Sequence, residues 1–204
     1  MILIECVLFD FDGTLADSFD AIAASVNHVR FVNRLSPLSL AEVITRVGHG
    51  LDSLMQATAP GVPLEMAKDS YRNHHEAHME SLTRLYPGAR EFLTTLSTLG
   101  VRMAVCSNKP VAFTKRLLVY LQIAGFFQEV LGPEDVAERK PGPEMLIEGM
   151  KRLGADREKT LYLGDMQIDL EAAQRAGVRV RILDHERDIG FFSLMKGDLA
   201  FGPG

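Results

Sequence analysis

The sequence predicts an α/β protein built on a doubly wound parallel sheet, with an all-helical segment inserted after the first strand. Three observations lead there. Short β-rich runs alternate with helical patterns over most of the chain, glycines follow the ends of the helical patterns, and one long N-terminal interval shows no convincing strand. Ile2 to Phe9 is the first candidate buried strand. From Asp17 to Leu82 the strand pattern lapses, while Phe19, Ile22, Val26 and Val29 keep helical spacing and Ser39-Leu40-Ala41-Glu42 has the form of a capping box. Pro37, Pro60 and Pro63 divide this interval into several helices. Residues 17–82 are therefore expected to form a helical cap, and residues 1–16 with 83–204 an α/β core.

The alternation then becomes regular. Helical patterns over Ala89 to Leu99, Val111 to Ala124, Pro143 to Leu153 and Asp169 to Ala176 are closed by Gly100, Gly125, Gly154 and Gly177. Between and after them lie strand candidates at Val101 to Cys106, Gln128 to Leu131, Thr160 to Leu163 and Val178 to Leu183. Phe191 to Gly204 is apolar and glycine-rich, with no evident place in the sheet. Open parallel sheets bind ligands beyond the carboxyl ends of their strands, so residues just after each strand are where chemistry is expected.

Composition narrows the function classes. At 204 residues, 47% hydrophobic and 24% charged, the chain can bury a core as one domain with an insertion. Its formal net charge of -5 argues against nucleic acid or an anionic membrane as a partner. The longest apolar stretch, Leu117 to Phe127, is interrupted by Gln122 and falls short of the ~18 residues that a membrane span needs. Met1-Ile2-Leu3-Ile4-Glu5 lacks the basic-then-apolar order of a signal sequence, which predicts a cytoplasmic location. Cys6 and Cys106 sit in apolar runs and read as packing residues.

The strand ends carry the chemistry. Asp10-Phe11-Asp12-Gly13-Thr14 follows the first strand and places two carboxylates on one side of an extended chain. Their repulsion favours a cation or a shared proton, and a hard divalent metal such as Mg²⁺ suits oxygen ligands. An acidic strand-to-loop turn is the plainer alternative. Gly13 would let backbone amides approach a phosphate. Ser107-Asn108 can hydrogen-bond anionic oxygens or simply cap a helix. Lys140, within Arg139-Lys140-Pro141, can hold a phosphate or remain solvated. Gly164-Asp165-Met166-Gln167-Ile168-Asp169 brings a further carboxylate beside the first pair and another that can ligate or cap. Each signal is modest alone; the fold places all of them together.

These motifs, in this order, make the chain resemble the haloacid dehalogenase superfamily in its phosphatase branch, whose core is a Rossmann-like sheet. Arg46-Val47-Gly48-His49-Gly50, Tyr86-Pro87-Gly88, Ser107-Asn108-Lys109-Pro110, Ala172-Ala173 and Ala176-Gly177 make it most similar to phosphoglycolate phosphatases. The resemblance implies a small phosphorylated metabolite as substrate, Asp10 as nucleophile and Asp12 as general acid and base. It implies Mg²⁺ held by Asp10, the main-chain carbonyl of Asp12 and Asp165, with Asp169 acting directly or through water. Lys140 and Ser107 would stabilise charge on the transferring group, and Asn108 would help to orient it. Gly13 and Thr14 would contact the phosphate, and Arg46, Gly48, His49 and Gly50 the leaving group. Met166 stands where relatives commonly carry Ser or Thr, which removes one hydrogen bond expected near the metal.

Related activities share these motifs. A phosphosugar mutase would keep every core residue, a haloacid dehalogenase would not need Asp12 or Asp165, and a non-enzymatic binding protein would be expected to lack Asp10. His74, His75 and His78 share a predicted helix but do not complete a His-Glu-x-x-His metal motif, so a solvated helix face is expected.

Overall fold

The computed structural model describes residues 3–185, 191 and 200–203. Ile2 of the predicted first strand, and most of the apolar C-terminal stretch, lie outside these. In chain order the elements begin with strands β1 (Leu3–Ile4), β2 (Cys6–Phe9) and β3 (Ala16–Asp17). Helices α1 (Phe19–Val32), α2 (Leu40–Ile44), α3 (Gly50–Thr58) and α4 (Leu64–His78) follow. Then come β4 (Arg84–Leu85), α5 (Ala89–Thr98), β5 (Arg102–Cys106), α6 (Val111–Tyr120), β6 (Glu129–Leu131) and α7 (Glu144–Leu153). The last are β7 (Thr160–Gly164), α8 (Gln167–Ala176), β8 (Arg179–Ile182) and β9 (Ala200–Phe201). The chain divides into two compact units, Asp17–Arg84 and the remainder.

The larger unit is the doubly wound parallel sheet that the alternation predicts. Its strands lie in the order β6-β5-β2-β7-β8, every neighbouring pair parallel. Leu8 of β2 stands between Ala104 of β5 and Tyr162 of β7. Side chains alternate across a strand, so Cys6, Leu8, Ala104, Cys106 and Tyr162 share one face, where α7 and α8 cover them with Met145, Leu146, Met150, Ala172 and Ala173. On the opposite face Phe9 meets Phe92 of α5 and Phe127 edge to face, with ring centroids 6.3 and 5.7 Å apart. A central strand covered on both faces reads as an unbroken apolar run, as β2 does.

Three expected boundaries move, each for a local reason. The run from Ile2 to Phe9 breaks at Glu5, where the chain passes from a short pairing with β9 into the main sheet. Glu5 is nearly buried there and pairs with Lys159 at 2.6 Å. The helix expected to reach Ala124 stops at Tyr120, because Gln122 takes a left-handed φ of 55° and the Ile123 N–H turns back to the Leu118 carbonyl at 2.9 Å. Arg90 donates to the freed carbonyls of Leu121 and Gln122. Finally, α8 starts at Gln167 rather than Asp169, for a reason that belongs to the site below.

The smaller unit is helical. Ile22, Val26 and Val29 of α1 pack with Val43, Leu54, Met55, Ala67 and Tyr71 in one apolar cluster. The Ser39 capping box forms: Ser39 Oγ accepts from the Glu42 N–H at 3.3 Å, and Glu42 Oε2 accepts from the Ser39 N–H at 2.8 Å. The solvated face expected for the histidines of α4 is corrected at His75, which is fully buried, stacked on Tyr71 and bonded to Ser25 Oγ at 3.1 Å. His74 stacks between His28 and His78 rather than facing water alone. A buried imidazole is tolerated where a hydroxyl satisfies it, and Ser25 supplies that partner. No helix among the described residues is long and apolar enough to cross a membrane.

Candidate active site

β2 delivers Asp10 directly to the carboxyl edge of the sheet, where its N–H still donates to the Leu163 carbonyl of β7 at 2.8 Å. β5 delivers Ser107 on one side in the same way, and β7 delivers Asp165 on the other. Lys140 comes from the loop before α7. Its ammonium lies 3.0 Å from Asp10 Oδ1, 2.7 Å from Asp169 Oδ1 and 2.8 Å from the Tyr162 hydroxyl. None of its side chain is exposed, so it is a fixed positive charge in the site rather than a solvated lysine.

Asn108 acts on that lysine. Its Nδ2 donates to the Lys140 carbonyl at 2.8 Å and its Oδ1 accepts from the Lys140 N–H at 3.0 Å, so one amide clamps both main-chain groups. Asn108 thus holds the Lys140 main chain in place. Asp169 is equally engaged. Its Oδ1 takes Lys140 and Tyr162 at 2.7 and 2.8 Å, and its Oδ2 accepts the N–H groups of Asp165 and Met166 at 3.2 and 3.0 Å. The last two bonds satisfy amides at the start of α8, which is why the helix begins before Asp169. They come from the backbone, so the cap does not depend on the side chain at Met166.

Gly13 and Thr14 form the turn beside Asp165. The Gly13 N–H is spent on the Ala16 carbonyl at 2.9 Å and the Thr14 N–H on Phe11 at 3.3 Å, because the turn closes on itself. The Thr14 hydroxyl donates to Asp165 Oδ1 at 2.8 Å. A Cβ at Gly13 would lie 2.1 Å from Asp165 Oδ2, and φ there is +80°, so glycine is required to admit the carboxylate.

Asp10, Asp165 and Asp169 each present an oxygen within 4.8 Å of the others. Burial pushes Asp10 from its ordinary 3.8 to about 6; Lys140 opposes this, while Asp169 and Asp12 add to it. Burial, with Asp10 and Asp169, pushes Asp165 up to about 8. Asp10 Oδ1 is buried and has an ion pair with Lys140 but no aligned hydrogen bond. Three crowded carboxylates with an under-satisfied oxygen suit a hard divalent cation, which would relieve both the repulsion and the unmet oxygen. Lys140 is itself held above the ordinary lysine range: burial disfavours its charge, but Asp10 and Asp169 outweigh that. The Asp12 carboxylate stands apart from the three and pairs with Lys109, 3.1 Å from its ammonium.

Tyr162 escaped the sequence analysis because it lies inside an apolar strand and reads as core; Lys109 belongs to the motif Ser107-Asn108-Lys109-Pro110 but had been given no role. The remaining expected residues lie in the helical unit. There the Arg46 guanidinium donates to the Glu42 carbonyl at the end of α2. His49 is exposed at the residue preceding α3, and Gly48 and Gly50 flank it with φ of 111° and 83°. Cys6 and Cys106 are free and buried, and burial pushes the Cys6 thiol up to about 11, in keeping with packing roles.

A family model described as haloacid dehalogenase-like hydrolase matches residues 7–183. A phosphoglycolate phosphatase of Cereibacter sphaeroides is 34% identical over 180 residues, covering 85% of this chain and 82% of that protein. A phosphoglycolate phosphatase of Salmonella typhi is 31% identical over 198 residues, covering 85% and 79%. Among solved structures, a predicted phosphoglycolate phosphatase from Haemophilus somnus superposes with a TM-score of 0.87 at 28% identity, over 98% of this chain and 95% of that one.

Proposed function

This chain belongs to the haloacid dehalogenase-like hydrolase family, and from that premise and the geometry of its site we propose that it hydrolyses a small phosphate monoester with Mg²⁺, with phosphoglycolate as the foremost candidate substrate. The observation that carries this reading is the buried Asp10–Lys140–Asp169 group with Asp165 beside it. A carboxylate held at a strand end by a buried cation is a positioned nucleophile. The candidate substrate comes from the names of the relatives.

Asp10 attacks phosphorus as the bond to the bridging oxygen breaks, leaving an aspartyl phosphate. Asp12 gives that oxygen its proton, then takes one from the water that attacks phosphorus and releases inorganic phosphate. Lys140 and Ser107 offset charge on the transferring oxygens, and Asn108 and Tyr162 hold Lys140 in place. Asp10, Asp165 and the Asp12 carbonyl would hold Mg²⁺, with Asp169 behind them. The cation would neutralise phosphate charge and bring it against the Asp10 carboxylate. The helical unit at residues 17–84 would supply substrate selection, and the protein works in the cytoplasm on a free metabolite, without nucleic acid or membrane.

A panel of small phosphate esters assayed with Mg²⁺ tests the reading, with release of inorganic phosphate from at least one ester as the expected outcome. Release from none removes it. Rearranged sugar phosphate in place of free phosphate would point to a mutase. Metal binding has a readout apart from activity. Mg²⁺ at about a hundred times its Kd is expected to add about 2.7 kcal/mol to stability, roughly 5–10 °C in melting temperature for a chain of this size. Asp165→Asn should remove most of that shift, and a wild-type melting curve indifferent to Mg²⁺ would contradict the metal assignment. Asp12→Ala is expected to slow turnover by about 10²-fold or more, the usual contribution of a positioned acid or base. Wild-type turnover in this variant removes Asp12 from that role.

A further inference from the structure

His185 lies just past β8, at the same carboxyl edge of the sheet as Asp165, and takes no part in the chemistry above. The chain reaches it from Leu183, whose N–H donates to the Gly164 carbonyl at 2.8 Å. Its ring stacks on Tyr86 with centroids 3.6 Å apart and planes 6° from parallel, and the buried Phe191 ring stands 5.8 Å away. Packing of this kind locks the ring in one orientation. In that orientation Nε2 lies 3.1 Å from the Thr14 carbonyl oxygen. A carbonyl oxygen can only accept, so the hydrogen bond assigns a proton to Nε2.

That bond falls on the turn that follows Asp10. Within the turn, the N–H groups of Thr14, Leu15 and Ala16 all donate to the Phe11 carbonyl, at 3.3, 3.0 and 3.1 Å. Two successive carbonyls are then taken from outside it: Thr14 accepts from His185, and Leu15 accepts from the Tyr86 N–H at 3.1 Å. The stacked pair therefore holds the turn at neighbouring points, and all of these residues belong to the larger unit. Thr14 is fully buried, and its other polar group, the hydroxyl, donates to Asp165 Oδ1 at 2.8 Å. A line of two hydrogen bonds runs from His185 through Thr14 to a carboxylate assigned above to Mg²⁺. Asp165 is also lodged against Gly13, so it must shift when the turn shifts.

We propose that His185 is a positioning residue for the metal site, which by donating from Nε2 to the Thr14 carbonyl fixes the turn whose hydroxyl aims the Asp165 carboxylate. The proposal rests on the assignment of Asp165 to Mg²⁺ and deepens it. Groups that orient a metal ligand from behind are worth about 10- to 100-fold in metal affinity, and His185 stands one bond further out. A ring that merely filled the space beside Tyr86 would need no donor, and phenylalanine would serve there equally well.

The test reads the apparent Kd for Mg²⁺ from melting temperature against Mg²⁺ concentration, without substrate, in the wild type, His185→Phe and His185→Gln. His185→Phe keeps the stack and loses the donor, and should raise that Kd by about tenfold. His185→Gln, whose amide N–H can reach the same carbonyl, should restore most of the affinity. Should the Phe variant not fold, His185→Asn, too short to reach Thr14, makes the same comparison with Gln. In Thr14→Val the line to Asp165 is already cut, so adding His185→Phe should weaken Mg²⁺ binding little further. An unchanged Kd in His185→Phe overturns the proposal, even if the metal-free protein melts lower, and leaves His185 as packing. Equal losses in the Phe and Gln variants, or a full further loss in the Thr14→Val background, overturn it as well. In each of these cases a wild type that responds to Mg²⁺ leaves the metal assignment standing; a wild type indifferent to Mg²⁺ removes both.

Discussion

Replacing Asp10 by Asn is expected to lower turnover of a phosphate ester by on the order of 10⁴-fold or more, the scale seen when a nucleophile is removed from a site whose other members remain. The amide keeps the shape of the carboxylate but cannot form the acyl phosphate. Folding should survive. Burial raises Asp10 from 3.8 to about 6 in the folded protein, against the pull of Lys140. An acid so raised contributes stability below its unfolded pKa and loses it as pH rises through the folded value, so at pH 7.5 the ionised group is a net cost to the metal-free protein. Asn does not ionise. The metal-free variant should therefore melt no lower than the wild type at pH 7.5, which separates loss of chemistry from loss of structure. Undiminished turnover would exclude Asp10 as nucleophile.

Lys140→Met should damage both stability and activity. The lysine is fully enclosed and pairs with Asp10 and Asp169, so its removal strands two buried carboxylates. Breaking a buried pair in this way costs about 3–5 kcal/mol, measurable by denaturant unfolding of the metal-free protein. Loss of a preorganised charge at the transferring group should lower kcat by roughly 10²- to 10³-fold. Lys140→Arg should not rescue it, because the planar guanidinium cannot meet Asp10, Asp169 and Tyr162 in a cavity shaped for an ammonium. A stable variant with normal kcat would show that the lysine is a structural counter-ion and nothing more.

What could be read in advance followed the spacing of the chain. Asp10, Ser107 and Asp165 each follow an apolar strand run, and a parallel sheet brings such ends to one edge whatever the details of packing. Lys140 and Asp169 were legible through the same topology. Tyr162 was not, because an aromatic inside a β-rich run looks like core; only the parity that sets it on the face of Leu8 and Cys106 turns its hydroxyl toward Lys140. The clamp of Asn108 on the Lys140 main chain spans 32 residues and leaves no local trace. Gly13 was marked for its flexibility, and the close approach it permits in the structure is that of Asp165. The early end of α6 depends on the left-handed Gln122, a conformation seldom taken by a glutamine. The histidines of α4 deceived for the opposite reason: their spacing is that of an exposed face, and the Ser25 hydroxyl that lets His75 be buried lies on another helix.

The central claim is that a phosphoryl group passes through Asp10. Rapid acid quench of the protein turning over a phosphate ester with Mg²⁺, followed by peptide mass analysis, reads this directly. The mass of one phosphoryl group should appear on Asp10 during turnover, disappear when substrate is exhausted, and be absent from Asp10→Asn. A phosphoryl group found on any other residue, transient on the same timescale, would contradict the account.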